Sequence, residues 1–268
     1  MLRVRGISGE ELAALPVEEF SDVRALKKHL HAQLGFPPRF RMVPNLAPLD
    51  LQLVLLTFIE ASLMQREELL DAARIGDAVW VESLLQLPMN PNQVDDVDDP
   101  PLLTASAYGH AVVVDLLLEA GEDVNVVGFN SNNALIHAAM HDEPEVARFL
   151  LVAGADPDQT NDDGETALTV ASRNGSVEVA RLLVEAGADK NTVNLNGFTP
   201  LHVASYENSA DIVRLLVKAH ADTNVLDDEG CTAYDIASVE GHAQIVSMLR
   251  RKQRRVNKTR ARRKHGRH

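Results

Sequence analysis

Two histidines, His137 and His141, stand four residues apart, which places both imidazoles one turn apart on a predicted helix. Imidazoles at this spacing can share a metal ion. No acidic residue lies between them to act as a general base, and no third ligand is evident in the sequence. We therefore favour a structural or contact role for both side chains and expect no metal site.

Two other groups of reactive side chains also lack the pattern that chemistry would need. The acidic run Asp95–Asp99 has neither the glycine nor the distal glutamate of a calcium loop, which favours a solvated turn. The single cysteine, Cys231, follows Asp227, Asp228 and Glu229, which oppose a reactive thiolate.

The sequence contains no phosphate-binding loop and no hydrolase or zinc-protease motif. We expect no enzyme activity and no cofactor.

The dominant feature of the chain is a six-residue pattern that returns every 33 residues. Its clearest copies are Thr199–Ala204 and Thr166–Ala171. Counted from the threonine position, the copies start near residues 67, 100, 133, 166, 199 and 232. A fixed period of this length predicts a stacked repeat array, and an array offers a binding surface before it offers a catalytic pocket.

Each copy predicts two helices joined by a tight turn. Threonine or asparagine at the first position can cap the first helix, and Asp77, Ser176 or Ser209 can cap the second. The turn between the helices falls nine residues after the first position, on residue types that tolerate left-handed backbone angles. These turn residues are Gly76, Gly109, Asp142, Gly175, Asn208 and Gly241. His220 replaces a glycine at the end of a second helix, where we expect strain.

Residues 66–250 closely resemble the ankyrin-repeat family, because the caps, turns, leucine pairs and Gly-Ala-Asp-x-Asn segments agree in register across several copies. The resemblance implies a mainly α solenoid of six helix-turn-helix/β-hairpin units. It also implies a protein partner held on the concave face, where hairpin tips and first helices are exposed. The first repeat departs from the pattern and is predicted to be a polar cap.

The positions that the framework leaves free are the candidates for partner binding. They are Tyr108, Phe129, His141, Asp162, Asp163, Arg173, Leu195, Phe198, Tyr206, Asp228 and Glu229. Exposed aromatic side chains are good anchors, so we predict an aromatic strip of Tyr108, Phe129, Phe198 and Tyr206 with an acidic rim. The alternative is that these aromatics are exposed singly and carry no function.

Residues 1–59 predict a small α+β segment. Strands are expected at residues 2–5, near 12–17, at 40–43 and at 49–55, with a helix from Ser21 to Gly35. This order resembles a truncated ubiquitin-like β-grasp, although the chain is too short between Arg41 and Leu49 for that family's next hairpin. The other interpretation is an appendage that caps the array. Residues 60–65 are predicted to be a linker.

Charge is distributed unevenly over the chain. Residues 1–59 have a net charge of +1, whereas residues 60–249 carry 33 acidic and 8 basic side chains, a net charge of −25. Residues 250–268 carry 11 basic and no acidic side chains. The acidic array favours a basic protein segment as partner and argues against nucleic acid, whereas the predicted disordered tail, residues 251–268, offers at most weak phosphate contact.

The tail has three interpretations: a nuclear localisation signal, an autoinhibitory segment or a solubilising end. Its localisation candidates are Arg250, Arg251, Lys252, Arg254, Arg255, Arg262, Arg263 and Lys264. The nine-residue apolar stretch Leu51–Ile59 is too short to span a bilayer, so we expect no membrane association. We expect a monomer inside the cell, in the cytoplasm and also in the nucleus if the tail directs it there.

Two functions remain open from the sequence. The favoured one is a non-enzymatic interaction module or scaffold. The alternative is a substrate-recognition or adaptor subunit of a ubiquitin-pathway or other modifying enzyme complex, which only the N-terminal resemblance suggests.

Overall fold

The computed structural model describes residues 2–5, 11–15, 40–44, 50–55, 63–85 and 99–250. The helix expected from Ser21 to Gly35, most of the acidic run and the basic tail beyond Arg250 lie outside the described residues.

The N-terminal strands form one four-stranded mixed sheet. The strands are β1 (Leu2–Arg5), β2 (Glu11–Leu15), β3 (Phe40–Pro44) and β4 (Asp50–Leu55), in the order β2-β1-β4-β3. The central pair, β1 and β4, is parallel, with Val4 opposite Leu51. Each outer strand pairs antiparallel with its neighbour. Strands therefore form close to the four positions that the sequence predicts.

The rest of the described chain is a series of helix pairs. The helices are α1 (Leu63–Ile75), α2 (Ala78–Leu85), α3 (Pro101–Ala107), α4 (Ala111–Glu119), α5 (Ala134–Met140), α6 (Pro144–Val152), α7 (Ala167–Asn174), α8 (Val177–Glu185), α9 (Pro200–Tyr206), α10 (Ala210–Lys218), α11 (Ala233–Val239) and a final helix over residues 243–250. The first helix begins at Leu63, so the predicted linker 60–65 overlaps its first turn.

Helix stacking produces two layers around a continuous core. The first helices of successive repeats contact one another from α1 through α3, α5, α7 and α9 to α11, and the second helices do the same from α2 to α10. The core is built from leucine, isoleucine, valine and alanine, with almost no aromatic side chain. Buried small residues such as Ala105, Ala138, Ala171 and Ala204 let neighbouring helices approach closely.

The first helix of a repeat is capped by a side chain wherever the first position of that repeat is polar. The side chains of Asn133, Thr166, Thr199 and Thr232 each accept a hydrogen bond from the backbone N–H three residues on. Pro100 has no such side chain at this position in the second repeat. There Glu122 supplies the acceptor, with its Oε1 3.0 Å from the backbone nitrogen of Leu102.

The second helices differ from the prediction at two of their three caps. Asp77 accepts from the backbone N–H of Trp80 at 3.0 Å, as expected. Ser176 and Ser209 make no cap hydrogen bond, so the prediction for these two serines was wrong. The Ser176 hydroxyl instead donates to the carbonyl of Ala139 at 2.9 Å, because it is buried against the preceding repeat.

All six predicted turn residues adopt positive φ, including Asp142 at 57° and Asn208 at 58°. His220 has a φ of 66°, a strained angle for a residue with a Cβ, as its glycine-like position predicts.

The expected β-hairpins are turns rather than paired strands. Within residues 99–250 the one β-bridge joins Val127 to Asn133. Neighbouring tips are joined by single backbone hydrogen bonds, such as Leu195 N–H to Asp163 O at 3.0 Å, which is too few for a ladder. Side chains close the tips instead: Asn161, Asn194 and Asp227 each accept two backbone N–H groups through one oxygen.

Candidate interaction groove

An open groove of about 570 Å³ lies where the first helices of repeats one and two meet the following tips. We call it the Tyr108–Phe129 groove. It is lined by Glu67, Leu70, Asp71, Arg74, Asp99, Thr104, Tyr108 and Phe129. The groove thus unites two of the four aromatics of the predicted strip, both in repeat two, with carboxylates of repeat one.

Tyr108 is 58% exposed and is held in place by a neighbouring ring. It stacks on His110, with ring centroids 6.2 Å apart and an interplanar angle of 10°. His110 Nε2 donates to the carbonyl of Arg74 at 3.0 Å, which ties this stack to repeat one. Gly76 leaves room for the imidazole, because a Cβ at that position would lie 2.5 Å from His110 Nδ1.

Phe129 also lines the groove and is 76% exposed. It starts a short 3₁₀ turn, Phe129–Ser131, and its backbone N–H donates to Asp99 Oδ1 at 2.8 Å. Gly128 leaves room for this contact, because a Cβ at that position would lie 1.9 Å from the same carboxylate oxygen and would displace the Asp99 side chain. The 3₁₀ turn and the Asp99 carboxylate together therefore fix the backbone position from which the Phe129 side chain extends.

The groove has more acidic than basic side chains. Arg74 pairs with Asp71, with Nη2 2.6 Å from Oδ1. Among the described residues this leaves Glu67 and Asp99 in the groove without a cationic partner. The sequence interpretation missed both: it placed Asp99 in a solvated acidic run and Glu67 in a degraded repeat copy. The sequence feature that could have indicated an acidic groove here is the aromatic Tyr108, which occupies a free position in the adjacent repeat.

The other aromatic residues of the predicted strip have different environments. Tyr206 is exposed, whereas Phe198 is half buried and stacks on the buried His202 with ring centroids 6.0 Å apart. The expectation that Phe198 is a freely exposed anchor was wrong, because this stacking removes much of its surface from solvent.

Most remaining candidates are exposed at the tips or at the ends of first helices. These are His141, Asp162, Asp163, Leu195, Asp228 and Glu229. Asp162 already accepts a hydrogen bond from the Ser131 hydroxyl at 2.6 Å, which ties adjacent tips together. Arg250 is exposed in the last helix, and the other localisation candidates lie outside the described residues.

Arg173 is engaged in an internal ion pair. Both terminal nitrogens of its guanidinium donate to the carboxylate of Glu165, whose side chain is only 5% exposed. Asn194 Nδ2 donates to the same carboxylate at 3.3 Å. The hydrogen bond to Glu165 raises the pKa of Arg173 above its ordinary value, and burial opposes that rise. The sequence placed Arg173 at a free position and missed Glu165.

The two histidines at metal-ligand spacing do not form a shared site. Both ring nitrogens of His137 are buried without a hydrogen-bond partner, whereas His141 is exposed. Across the part of the chain that the structure describes, no cluster of three or more His, Cys, Asp or Glu side chains could hold a metal ion. The partly buried position of His137 fits the structural role that the sequence interpretation allowed for it.

His202 closes the first turn of α9 in a buried capping box. Its Nδ1 accepts from the backbone N–H of Thr199 at 3.2 Å, and its Nε2 therefore carries the hydrogen that points at the Cys231 carbonyl, 3.3 Å away. Burial lowers the pKa of His202, and the Cys231 carbonyl and Asp227 oppose that shift. Burial also lowers the pKa of His137, where Asp99 opposes the shift and His141 adds to it.

We expect the free energy of unfolding to decrease as the pH is lowered from about 7.5 to about 5.5. Above the ordinary pKa of 6.5, His137 and His202 are neutral in both states. Below it, the unfolded chain binds protons that the folded chain does not, so stability is lost until the pH reaches the lowered pKa values. Urea unfolding at several pH values measures this slope. His202→Gln should flatten it, and His141→Gln, at an exposed site, is the control. Equal slopes in the wild-type and His202→Gln proteins would contradict the assignment.

Cys231 has no environment that favours a thiolate. Partial desolvation and the carboxylates of Asp227, Asp235 and Glu229 raise the pKa of its thiol. The expectation from the neighbouring acids is therefore confirmed.

Helix pairs stacked in two layers, each contacting only its neighbours, define a solenoid repeat protein. The family model described as "Ankyrin repeats (3 copies)" matches residues 69–161, 113–194, 143–227 and 186–260. The chain belongs to the ankyrin repeat family.

A solved structure supports the same fold. The chain is similar to an ankyrin repeat domain from Acinetobacter baumannii AYE, with 30% sequence identity and a TM-score of 0.65 over 69% of this chain and 97% of that one. No curated protein matches the chain. Ankyrin repeats are generally protein–protein interaction modules and are typically non-enzymatic. None of the described helices has the length and apolar character that a membrane span requires.

Proposed function

We propose that this chain is a non-enzymatic interaction module, or scaffold, that holds a protein partner on the concave face of its array. The observation that carries the proposal is the Tyr108–Phe129 groove, where two exposed aromatic rings of repeat two meet carboxylates of repeat one. Exposed side chains continue along the later repeats at Leu195 and Tyr206. Such aromatic and aliphatic anchors carry most of the binding energy in protein interfaces.

Charge supports a basic segment as the partner. Residues 60–249 have a net charge of −25. Four of their arginines are already paired with acids of the array, as Arg74–Asp71, Arg173–Glu165, Arg181–Glu178 and Arg214–Asp211. The acidic surface therefore remains largely uncompensated, which attracts a cationic protein and repels nucleic acid.

The chain acts as a monomer in the cytoplasm, and the basic residues from Arg250 onward direct it to the nucleus if they act as a localisation signal. Weak phosphate contact through the same residues is the only nucleic-acid contact that the charge pattern favours.

Replacing Leu195 and Tyr206 together by alanine should weaken partner binding by about tenfold or more, because both side chains are exposed anchors. The partner is isolated by affinity capture with the full chain, and its dissociation constant is then measured for each variant. Leu195 is chosen rather than Phe198 because the Phe198 ring stacks on His202 inside the array. Val152→Ala, at an exposed apolar position on a second helix, is the matched control. An equal loss of affinity in the double variant and in Val152→Ala, or no loss in the double variant, would contradict the concave-face proposal.

The second candidate function is an adaptor or substrate-recognition subunit of a ubiquitin-pathway or other modifying enzyme complex. The observation that favours it is the N-terminal sheet, whose central parallel pair is flanked by antiparallel strands in the order β2-β1-β4-β3. The same affinity capture separates the two candidates. Recovery of ligase or proteasome components with the full chain would favour the adaptor, and their absence beside a bound partner would favour the simple module.

A further inference from the structure

We propose that the Tyr108–Phe129 groove is an anchor site for an arginine side chain of the partner protein. This inference rests on the proposed function and deepens it, because it assigns the chemistry of one contact within the binding face. The site assigned is the groove alone, and the rest of the face is free to contact the partner in other ways.

Two exposed aromatic rings line the groove. Tyr108 and Phe129 are both more than half exposed and line the same groove. A cation over an aromatic face is attracted by the negative charge of the ring. A guanidinium adds planar stacking on the ring, which an ammonium cannot do. Two exposed rings in one groove therefore favour arginine over lysine.

Two carboxylates in the same groove can act as counter-charges for a bound cation. Glu67 comes from the first helix of repeat one, and Asp99 comes from the tip that precedes repeat two. Arg74 neutralises Asp71 at 2.6 Å, so a guest cation would meet Glu67 and Asp99 as its counter-charges. Asp99 uses Oδ1 to accept from the Phe129 backbone and keeps a second oxygen for a guest. The fork of a guanidinium can contact a carboxylate and a ring at once.

The groove is also formed before the ligand arrives. Tyr108 is braced by His110, which donates to the Arg74 carbonyl, and the Phe129 backbone is held by Asp99. A stacked Tyr108 ring and a fixed Phe129 backbone lose less conformational entropy on binding than unrestrained groups would, which strengthens a small contact. Its open shape and volume of about 570 Å³ accommodate one long side chain that enters from a peptide lying across the face.

The test titrates the uniformly ¹⁵N-labelled full chain with acetyl-Gly-Ala-Arg-Ala-Gly-amide and follows backbone amide shifts. Lysine and citrulline versions of the peptide are compared, because citrulline keeps the shape of arginine without its charge. We expect saturable shifts at residues 99, 108, 128 and 129 with arginine, weaker binding with lysine and little with citrulline. Phe129→Ala and Glu67→Gln should each raise the dissociation constant about two- to fivefold.

Two variants outside the groove are the matched controls. Val152→Ala removes an exposed apolar side chain on a second helix and Glu185→Gln an exposed carboxylate, and neither should change binding of the arginine peptide. Equal binding of arginine and citrulline, shifts confined to other residues, or unchanged binding in both Phe129→Ala and Glu67→Gln would overturn the anchor. In each of these cases a captured partner that still depends on Leu195 and Tyr206 leaves the proposed function standing. If that dependence is also absent, both proposals fail.

Discussion

Leu168→Ala should lower the free energy of unfolding by about 2–5 kcal/mol. Leu168 is fully buried in α7, in the middle of the stack, where α7 contacts α5, α8 and α9. Truncation removes buried apolar surface and leaves a cavity that the close-packed helices on either side can only partly fill. Because each repeat contacts only its neighbours, a defect at the centre also weakens the coupling between the two ends of the array.

The control for this prediction uses the same substitution at an exposed position nearby. Leu195 is 71% exposed at the following tip, so Leu195→Ala should change stability by no more than about 0.5 kcal/mol. Urea unfolding followed by circular dichroism measures both variants at one pH. A Leu168→Ala protein as stable as the Leu195→Ala protein would show that the stack does not have the packed core described above.

Arg173→Ala should lower the free energy of unfolding by about 1–3 kcal/mol. The substitution leaves the carboxylate of Glu165, 5% exposed, with Asn194 as its remaining side-chain donor among the described residues. Breaking a fully buried ion pair by removing one partner has a larger effect, but the Arg173 side chain is 43% exposed and solvent screens part of the interaction. The loss should therefore fall below the range for fully buried pairs.

A matched ion pair on the array surface provides the comparison. Arg181 contacts Glu178 at 3.0 Å, and each side chain is 50% exposed. Arg181→Ala should therefore change stability by less than about 0.5 kcal/mol. Adding Glu165→Gln to Arg173→Ala should restore part of the loss, because it removes the uncompensated buried charge. Equal effects of the two arginine substitutions, with no recovery in the double variant, would contradict a structural role for the Glu165–Arg173 pair.

Individual residues show how much of the candidate site could be predicted from the sequence. The pattern placed Tyr108, Phe129, Phe198 and Arg173 at free positions, and the structure leaves Tyr108 and Phe129 open to solvent. Phe198 is instead covered by His202, and Arg173 is held by Glu165. The acidic members of the groove, Glu67 and Asp99, were not selected, because neither has a distinctive spacing in the sequence.

The sequence by itself determined the family fold of the array, including the repeat starts, the Asn and Thr caps and the positive-φ turns at Gly76 and Asp142. These features depend on interactions within a few residues, and a 33-residue period shows them again in each copy. Only the tertiary structure decided which free side chains meet. Glu67 and Asp99 belong to repeat one and Phe129 to repeat two, so their proximity depends on how the repeats stack. The repeat period determines the backbone of each copy, but it does not determine which residue types occupy these free positions or which of them come into contact. The groove could therefore not be predicted from the sequence.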